Sequence, residues 1–199
     1  MEPTIFSALV NFAFLVVPAV VYALVVRFKS HLSWSEIADR LGLRKPQSPY
    51  WVVGFGVAIF MSGVTIAMTS MGLGFSDKGS PIHFLVGQSP TSALVWSAFL
   101  YAFISTGPGE EILFRGLIGG VFQRRVQRRW LANSLQALVF TLPHALILLV
   151  RPDLWFAIPV VFALGLVCGW LRIQSKSVVP SALVHAFGNF GAALSVLSW

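Results

Sequence analysis

Two adjacent glutamates, Glu110 and Glu111, lie in an apolar stretch long enough to cross a bilayer, although the 199-residue chain holds only seven acidic residues. An ionisable side chain inside a membrane span is costly and is a functional site by default. Arg115 follows Glu111 by four residues, so these two side chains share a helix face and are expected to form an ion pair. Glu110 is rotated by about 100 degrees from Glu111. We therefore predict that Glu111 is held structurally, whereas Glu110 is free to act as a general base.

Directly before the glutamates the chain reads Gly107-Pro108-Gly109. Proline removes a backbone donor and the flanking glycines relax the helix, so we expect a kink or a break here. Irregular backbone at membrane depth occurs only where it is buried in protein or lines a water-filled cavity. The segment therefore indicates an intramembrane cavity next to the glutamates. The alternative is that both glutamates only pair with arginines and lock helices together.

Two later apolar stretches each contribute a histidine. Phe140 and His144 are four residues apart and share a helix face, as do His185 and Asn189. A pair of polar side chains on one face can hold a water molecule, stabilise an oxyanion or ligate a metal ion. A single intramembrane histidine is often only hydrogen-bonded to a neighbouring helix, so each motif alone is a weak signal.

The elements that carry these residues are predicted to be membrane spans. The chain is 56% hydrophobic and only 11% charged, against about 25% charged residues in a soluble domain. Several apolar runs approach or exceed about 18 residues, the length that crosses a bilayer core. We predict an all-α, polytopic transmembrane helix bundle that forms a single domain over residues 1–199. Its six spans are placed at about 4–26, 50–73, 91–122, 130–150, 154–171 and 178–199.

The basic residues predict the orientation of the chain. Eleven of the fourteen lie in the loops after the first, third and fifth spans, whereas the opposite loops hold only Lys78 and Arg151. The positive-inside rule places the eleven on the cytoplasmic side and both termini outside. The net charge of +7 is then explained by contact with anionic lipid headgroups, without a nucleic-acid partner. We expect an integral membrane protein of a prokaryotic plasma membrane, because the chain is compact.

The polar residues are predicted to lie at one depth in the bilayer. Counted from the nearest cytoplasmic basic residue at 1.5 Å per residue, Glu110, His144, His185 and Asn189 lie roughly 14 to 22 Å deep. Unrelated structural polar residues would not be expected to share a level. The four are therefore expected to meet in one site.

Two further features receive structural interpretations. The sequence SWSEIADRLGL, residues 33–43, predicts a short amphipathic helix at the cytoplasmic surface, with Ser35 as its N-cap. Three of its apolar side chains are expected to face lipid: Trp34, Ile37 and Leu41. Cys168 is the single cysteine, which excludes an internal disulfide, and its apolar neighbours predict a packed core residue.

Three motifs, EExxxR, FxxxH and HxxxN, follow one another in this order on successive apolar segments. Together with the sequence Phe114-Arg115-Gly116 they resemble the family of CAAX proteases and bacteriocin-processing enzymes. This family is also called the Abi family and includes the Ras-converting CAAX endopeptidase. The resemblance covers about residues 91–199, and the first two spans lie outside it. It implies an intramembrane endopeptidase with eight or fewer helices around a water-filled catalytic cavity.

The resemblance also implies a role for each matching position. Glu110 would activate the hydrolytic water with help from His144, and His185 and Asn189 would stabilise the tetrahedral oxyanion. Three further residues would support the site: Glu111, Arg115 and Phe140. The substrate would be a prenylated CAAX-type C-terminus or a peptide or bacteriocin precursor in the lipid bilayer.

The resemblance leaves metal dependence open. The family has been described as metalloproteases, and a glutamate-activated water without metal is also proposed for it. If a divalent metal such as zinc is bound, its expected ligands are Glu110, His144 and His185. The HExxH pattern is absent and the two histidines come from separate spans, so we slightly favour the metal-free route.

Two hypotheses from other classes compete with a peptidase. In the first, Glu110, His144 and His185 form a proton relay of a small proton-coupled transporter. The absence of an inverted repeat and the clustering of ionisable groups in the later spans argue against it. In the second, the chain is a non-catalytic immunity protein or scaffold that binds a peptide in the same cavity. Proteolysis that is lost on Glu110→Ala would discriminate catalysis from binding.

Overall fold

The computed structural model describes residues 4–72, 82–149 and 151–198. These residues form helices and loops and contain no strand, which confirms the predicted all-α class. Lys78 of the predicted external loop lies outside the described residues. The α-helices of the described chain are, in order, α1 Ile5–Lys29, α2 Trp34–Leu41, α3 Pro49–Ser70, α4 Ser92–Phe99, α5 Gly107–Glu111, α6 Gly119–Arg125, α7 Arg129–Ala145, α8 Ala157–Ser175 and α9 Val179–Ser195.

Several helices are suited to a bilayer by length and composition. Four helical stretches of the described residues are long and apolar enough to cross it: Ile5–Lys29, Pro49–Ser70, Arg129–Leu149 and Pro152–Ser175. Helix α9 has 17 residues, which is at the lower limit for a span. The run from α4 to α6 is divided into segments of different helical type. The bundle is therefore that of an integral membrane protein, and the count of six spans stays a prediction.

The central run, residues 92–125, is helical without a break, where the sequence predicts a kink or a break at Pro108. Two π-helical segments, Leu100–Thr106 and Ile112–Ile118, lie on either side of α5. In a π-helix each N–H reaches the carbonyl five residues back, so the turn is wider than an α-turn. The helix thus accommodates Pro108 by widening its turns. Such π turns are frequent at functional sites.

Gly107 explains how the widened turn meets α9. Its N–H donates to the carbonyl of Ala102, five residues back. A Cβ atom at position 107 would lie 2.6 Å from that carbonyl oxygen and 3.0 Å from Cβ of Ala186 on α9. Only glycine allows the two backbones to approach this closely. The turn therefore brings α9 against the segment that carries the glutamates.

Helices α1 and α3 lie outside the three motifs but hold the motif-bearing helices in place. Helix α3 packs along α9, and α1 packs against the central run. Ser62 of α3 donates a hydrogen bond of 2.7 Å to the carbonyl oxygen of Phe187 on α9. Asn11 of α1 donates one of 2.8 Å to the hydroxyl of Ser105 in the first π segment. Each helix thus contributes a directional contact close to the predicted site.

Helix α8 packs between α7 and α9. Gln136 of α7 donates a hydrogen bond of 2.8 Å to the carbonyl oxygen of Gly165, which links α7 to α8 deep in the bundle. Cys168 is completely buried in a cluster with Ala58 and Val184, which confirms its predicted place in the core.

The N-cap predicted for α2 is wrong. The cap is Ser33 and not Ser35, because Ser33 Oγ accepts from the backbone N–H of Glu36 at 3.2 Å. The Ser33 backbone and hydroxyl both donate to the Glu36 carboxylate at 2.7 Å. This reciprocal capping box holds the pKa of the Glu36 carboxyl below its usual value through the hydrogen bonds from Ser33.

The predicted orientation of α2 is wrong for two of its three apolar side chains. Ile37 and Leu41 are buried and pack with Ala19 of α1, so they face protein and not lipid. Trp34 is exposed, and its contact with lipid stays a prediction. The apolar stripe of α2 is covered by α1 because burial against another helix removes it from water as well as lipid would.

Candidate active site

Glu111 and Arg115 form the ion pair that their spacing predicts. Arg115 Nη1 lies 2.8 Å from Glu111 Oε1, and both side chains are completely buried. The guanidinium carbon of Arg115 also lies 4.0 Å from the centre of the Phe140 ring, within cation–π distance. The nitrogens of Arg115 make no aligned hydrogen bond within the described part of the chain. Charge and stacking therefore hold this side chain.

His185 lies between the two glutamates. Its Nδ1 is 3.0 Å from Glu111 Oε1, and a carboxylate oxygen only accepts, so Nδ1 carries a proton. Its Nε2 is 3.7 Å from Glu110 Oε2. One ring nitrogen therefore faces each carboxylate, and Glu111 fixes the orientation of the ring.

Glu110 lies in a different environment from its neighbour. Its side chain is 19% exposed, whereas that of Glu111 is 0% exposed. Its Oε2 atom is buried and has no hydrogen-bond partner among the described residues, as is also true of Glu111 Oε2. The two glutamates therefore differ in exposure and in the ion pair of Glu111 with Arg115. A partly exposed carboxylate that has no arginine partner among the described residues suits a general base.

Phe140 separates the two histidines. Its ring centroid lies 4.6 Å from that of His144 and 5.8 Å from that of His185, at 89° to the latter ring. His144 Nδ1 lies 2.9 Å from the Phe140 carbonyl oxygen, so this nitrogen carries the proton and donates. In that tautomer Nε2 has a lone pair. Because His144 is only half-buried, its Nε2 can accept a hydrogen bond from water.

Asn189 reaches the site through a residue that the sequence motifs do not include. Its Nδ2 donates to Thr106 Oγ1 at 2.9 Å. The Thr106 hydroxyl in turn donates to the carbonyl oxygen of Tyr101 at 3.0 Å. Asn189 is thereby held against the first π segment, one helical turn before Glu110.

The structure thus brings the predicted site residues into one region, while their roles stay predictions. It also shows supporting residues that sequence reasoning missed, namely Thr106, Asn11 and Ser62. For Asn11 a signal was available, because it interrupts an otherwise apolar span. For Thr106 and Ser62 no local pattern indicates the distant partner.

The described side chains do not form a metal site. Among the described residues no group of three or more His, Cys, Asp or Glu is placed to hold a metal ion. The expected ligand set of Glu110, His144 and His185 is therefore not assembled as a metal site in this arrangement of the described residues. Each histidine Nδ1 is engaged by a protein oxygen, Phe140 O or Glu111 Oε1. This hydrogen bonding leaves Nε2 as the ring nitrogen that could bind a metal and is common in histidine ligands, so it does not itself exclude one.

An apolar groove of about 310 Å³ lies beside the glutamates. It runs between the central run and α9 and extends toward the segment after α2. Its lining includes Leu43, Phe103, Pro108, Ile112, Ala182 and Ala186. Pro108 and Ile112 lie on either side of the two glutamates in the sequence, and Ala186 follows His185. The groove is therefore formed by the same helices as the site, although its lining contains none of the predicted site residues.

The fold and the site define a polytopic helical membrane protein whose acidic, basic and imidazole groups meet between its helices. Residues 92–191, half of the chain, match the sequence model of the family described as Type II CAAX prenyl endopeptidase Rce1-like. The chain belongs to the Rce1-like CAAX prenyl endopeptidase family, and the family resemblance of its motifs is confirmed. Comparisons with curated proteins and with solved structures find no match. At the level of the family, the protein is a CAAX-type membrane endopeptidase.

Proposed function

We propose that this protein hydrolyses a peptide bond near the membrane with a water molecule that Glu110 activates. The contrast between the adjacent glutamates carries the proposal. Glu111 is enclosed and paired with Arg115, whereas the Glu110 side chain is 19% exposed and its Oε2 lies 3.7 Å from Nε2 of His185. Two acids in different environments support one structural and one catalytic role.

In the first step a water molecule lies between the Glu110 carboxylate and Nε2 of His144. The lone pair of His144 Nε2 accepts one hydrogen of the water and orients it. Glu110 removes the other proton as the water oxygen attacks the peptide carbonyl carbon. A tetrahedral intermediate with a negative oxygen forms, and Glu110 holds the proton.

His185 and Asn189 stabilise the negative oxygen. Nδ1–H of His185 is used by Glu111, so a donor at Nε2 requires protons on both ring nitrogens. Glu111 at 3.0 Å and Glu110 at 3.7 Å favour that cation electrostatically. Two ionised glutamates, Arg115 and cationic His185 then sum to zero charge, which suits a site of low dielectric constant.

The second step regenerates the enzyme. The carbon–nitrogen bond of the intermediate breaks, and Glu110 returns its proton to the leaving nitrogen. The products are a carboxylic acid and an amine, and Glu110 is again ionised. Every proton and bond is then accounted for by the substrate, one water molecule and Glu110.

The substrate we propose carries an apolar chain near the scissile bond, as a prenylated CAAX-type C-terminus does. Membership of the CAAX prenyl endopeptidase family and the apolar groove beside the glutamates support this choice over a bacteriocin precursor. With the basic loops in the cytoplasm and both termini outside, the substrate is cleaved from the cytoplasmic side.

The test is cleavage of a fluorogenic prenylated peptide by purified protein, with and without a metal chelator. Wild type and Asp153→Asn, which alters an exposed carboxylate, are expected to cleave. Glu110→Ala should lose about 10²–10⁴-fold in kcat with an unchanged unfolding midpoint. Chelator should leave cleavage unchanged.

Other outcomes have distinct meanings. Cleavage that persists in Glu110→Ala would refute Glu110 as the base, and cleavage that chelator abolishes would require a metal. Peptide that binds to wild type without being cleaved would favour the non-catalytic binding protein.

A further inference from the structure

Thr106 forms the middle of a chain of hydrogen bonds that ends at Asn189. We infer that Thr106 is a positioning residue that fixes the Asn189 amide with its NH₂ group available to the reacting carbonyl oxygen. This inference rests on the proposed function, because it gives Asn189 its donor role, and it goes beyond the three sequence motifs.

The order of donors and acceptors in these hydrogen bonds follows from the last acceptor, the Tyr101 carbonyl oxygen. The Thr106 hydroxyl lies 3.0 Å from the Tyr101 carbonyl oxygen, and a carbonyl oxygen only accepts, so the hydroxyl proton of Thr106 is used there. Thr106 Oγ1 then has only lone pairs to offer to Asn189, 2.9 Å away. The Asn189 atom that faces it must therefore be the donor, Nδ2, and not the carbonyl oxygen.

The position of Thr106 at the end of the first π segment favours this order of donors and acceptors. Thr106 ends the segment Leu100–Thr106, and its hydroxyl, like a backbone N–H of a π-helix, reaches the carbonyl oxygen five residues back, that of Tyr101. Thr106 is 8% exposed, so bulk water does not compete for its hydroxyl. Without the Thr106 hydroxyl, the Asn189 side-chain amide could flip by about 180° at little energetic cost, because its oxygen and its NH₂ group have nearly the same size.

The orientation matters because the two ends of an amide have opposite effects on an oxyanion. Nδ2 carries two N–H groups, and the bond to Thr106 uses one and leaves one. A flipped amide would bring its carbonyl oxygen toward the negative oxygen and repel it. Removing one oxyanion donor typically lowers kcat by about 10²–10³-fold, so a loss of orientation is expected to lower kcat with little effect on KM.

The kinetic test compares two variants of Thr106 with a matched control. Thr106→Val keeps the shape but removes the hydroxyl, and kcat should fall by about 10- to 100-fold with KM within about twofold. Thr106→Ser keeps the hydroxyl and should restore kcat to within about threefold of wild type. The control is Ser105→Ala, the adjacent buried hydroxyl, which bonds Asn11 and not Asn189, and its kcat should stay close to that of wild type.

A second measurement detects the Asn189 side-chain amide directly by NMR and does not depend on peptidase activity. The chain contains three asparagines, Asn11, Asn133 and Asn189, so selective ¹⁵N-asparagine labelling gives three side-chain NH₂ signals in an NMR spectrum. The signal that disappears in Asn189→Asp is that of Asn189. In wild type and in Thr106→Ser, one Asn189 proton should exchange slowly with solvent, and in Thr106→Val this protection should be lost.

The outcomes separate the inference from the proposed function. If Glu110→Ala is inactive but Thr106→Val keeps the wild-type kcat, the peptidase stands and the role of Thr106 is wrong. An Asn189 signal that is unchanged in Thr106→Val would also overturn the inference. If neither wild type nor any variant cleaves the peptide, but the Asn189 signal changes in Thr106→Val, the orientation of the amide is supported and the proposed function is wrong.

Discussion

The candidate site has two halves that differ in burial and in hydrogen bonding. The sealed half consists of Glu111, Arg115 and Phe140, whose side chains are fully buried or nearly so. The open half consists of Glu110, His144 and Asn189, which are each partly exposed. His185 joins the halves, with one ring nitrogen toward each glutamate.

The difference shows how one sequence motif serves two purposes. Within EExxxR, the second glutamate and the arginine neutralise each other, so the motif can be enclosed by apolar helices at an acceptable cost. The first glutamate is left to the open half, where water can reach it. Substitutions in the sealed half should therefore act mainly on stability, and those in the open half mainly on kcat.

The largest effect is expected from His144→Asn in the open half. An asparagine amide can still donate to the Phe140 carbonyl oxygen, but it lacks the basic Nε2 lone pair. We expect kcat to fall by about 10²–10⁴-fold, whereas the free energy of unfolding should change by less than about 1 kcal/mol. Steady-state kinetics and denaturation in one detergent check this. A variant that keeps its kcat would remove His144 from the reaction.

The sealed half is tested by Arg115→Met. The substitution leaves the buried Glu111 carboxylate without Arg115 and with only the His185 ring beside it, which should cost about 3–5 kcal/mol of unfolding free energy. The double variant Glu111→Gln with Arg115→Met removes both charges and should recover a large part of the loss. Arg129→Met, at an exposed arginine, is the control and should be nearly neutral. If Arg115→Met were no less stable than this control, the sealed half would not be a structural unit.

Local spacing predicted the sealed half better than the rest of the molecule. The contact between Glu111 and Arg115 follows from i, i+4 geometry alone, and the apolar composition predicts helices in a membrane. The N-cap of α2 was also predictable, because Ser33 and Glu36 form the S-x-x-E pattern of a capping box. Choosing Ser35 overlooked that pattern.

Other features depend on contacts that no local pattern encodes. The first π segment ends where α9 approaches Gly107, and that approach joins residues about eighty positions apart. The same holds for the bond between Asn189 and Thr106. An apolar stripe such as Ile37 and Leu41 predicts burial but does not indicate whether lipid or another helix provides it.

The role of the apolar groove in substrate binding is tested by filling the groove with a large side chain. Ala182→Trp places a large ring in the groove, so KM for a prenylated peptide should rise by about tenfold. KM for the same peptide without the prenyl chain should change by less than about twofold. Ile59→Trp is the control, because Ile59 is exposed on α3 away from the groove. Equal effects on both peptides would show that the groove does not hold the apolar chain.

The smallest effect is expected from Asn11→Ala on α1, which supports the site from outside the motifs. Asn11 donates to the Ser105 hydroxyl at 2.8 Å and to the Ser105 carbonyl oxygen at 3.4 Å, and an interhelical hydrogen bond in a membrane contributes about 0.6 kcal/mol on average. Unfolding free energy should therefore fall by about 0.5–1 kcal/mol, and kcat by less than about threefold. Ser62→Ala, which removes the corresponding bond from α3 to α9, should behave in the same way. A loss of kcat as large as that of His144→Asn would instead mean that α1 fixes the geometry of the open half. The first π segment, which Asn11 contacts and which carries Thr106, would then transmit that effect to Asn189.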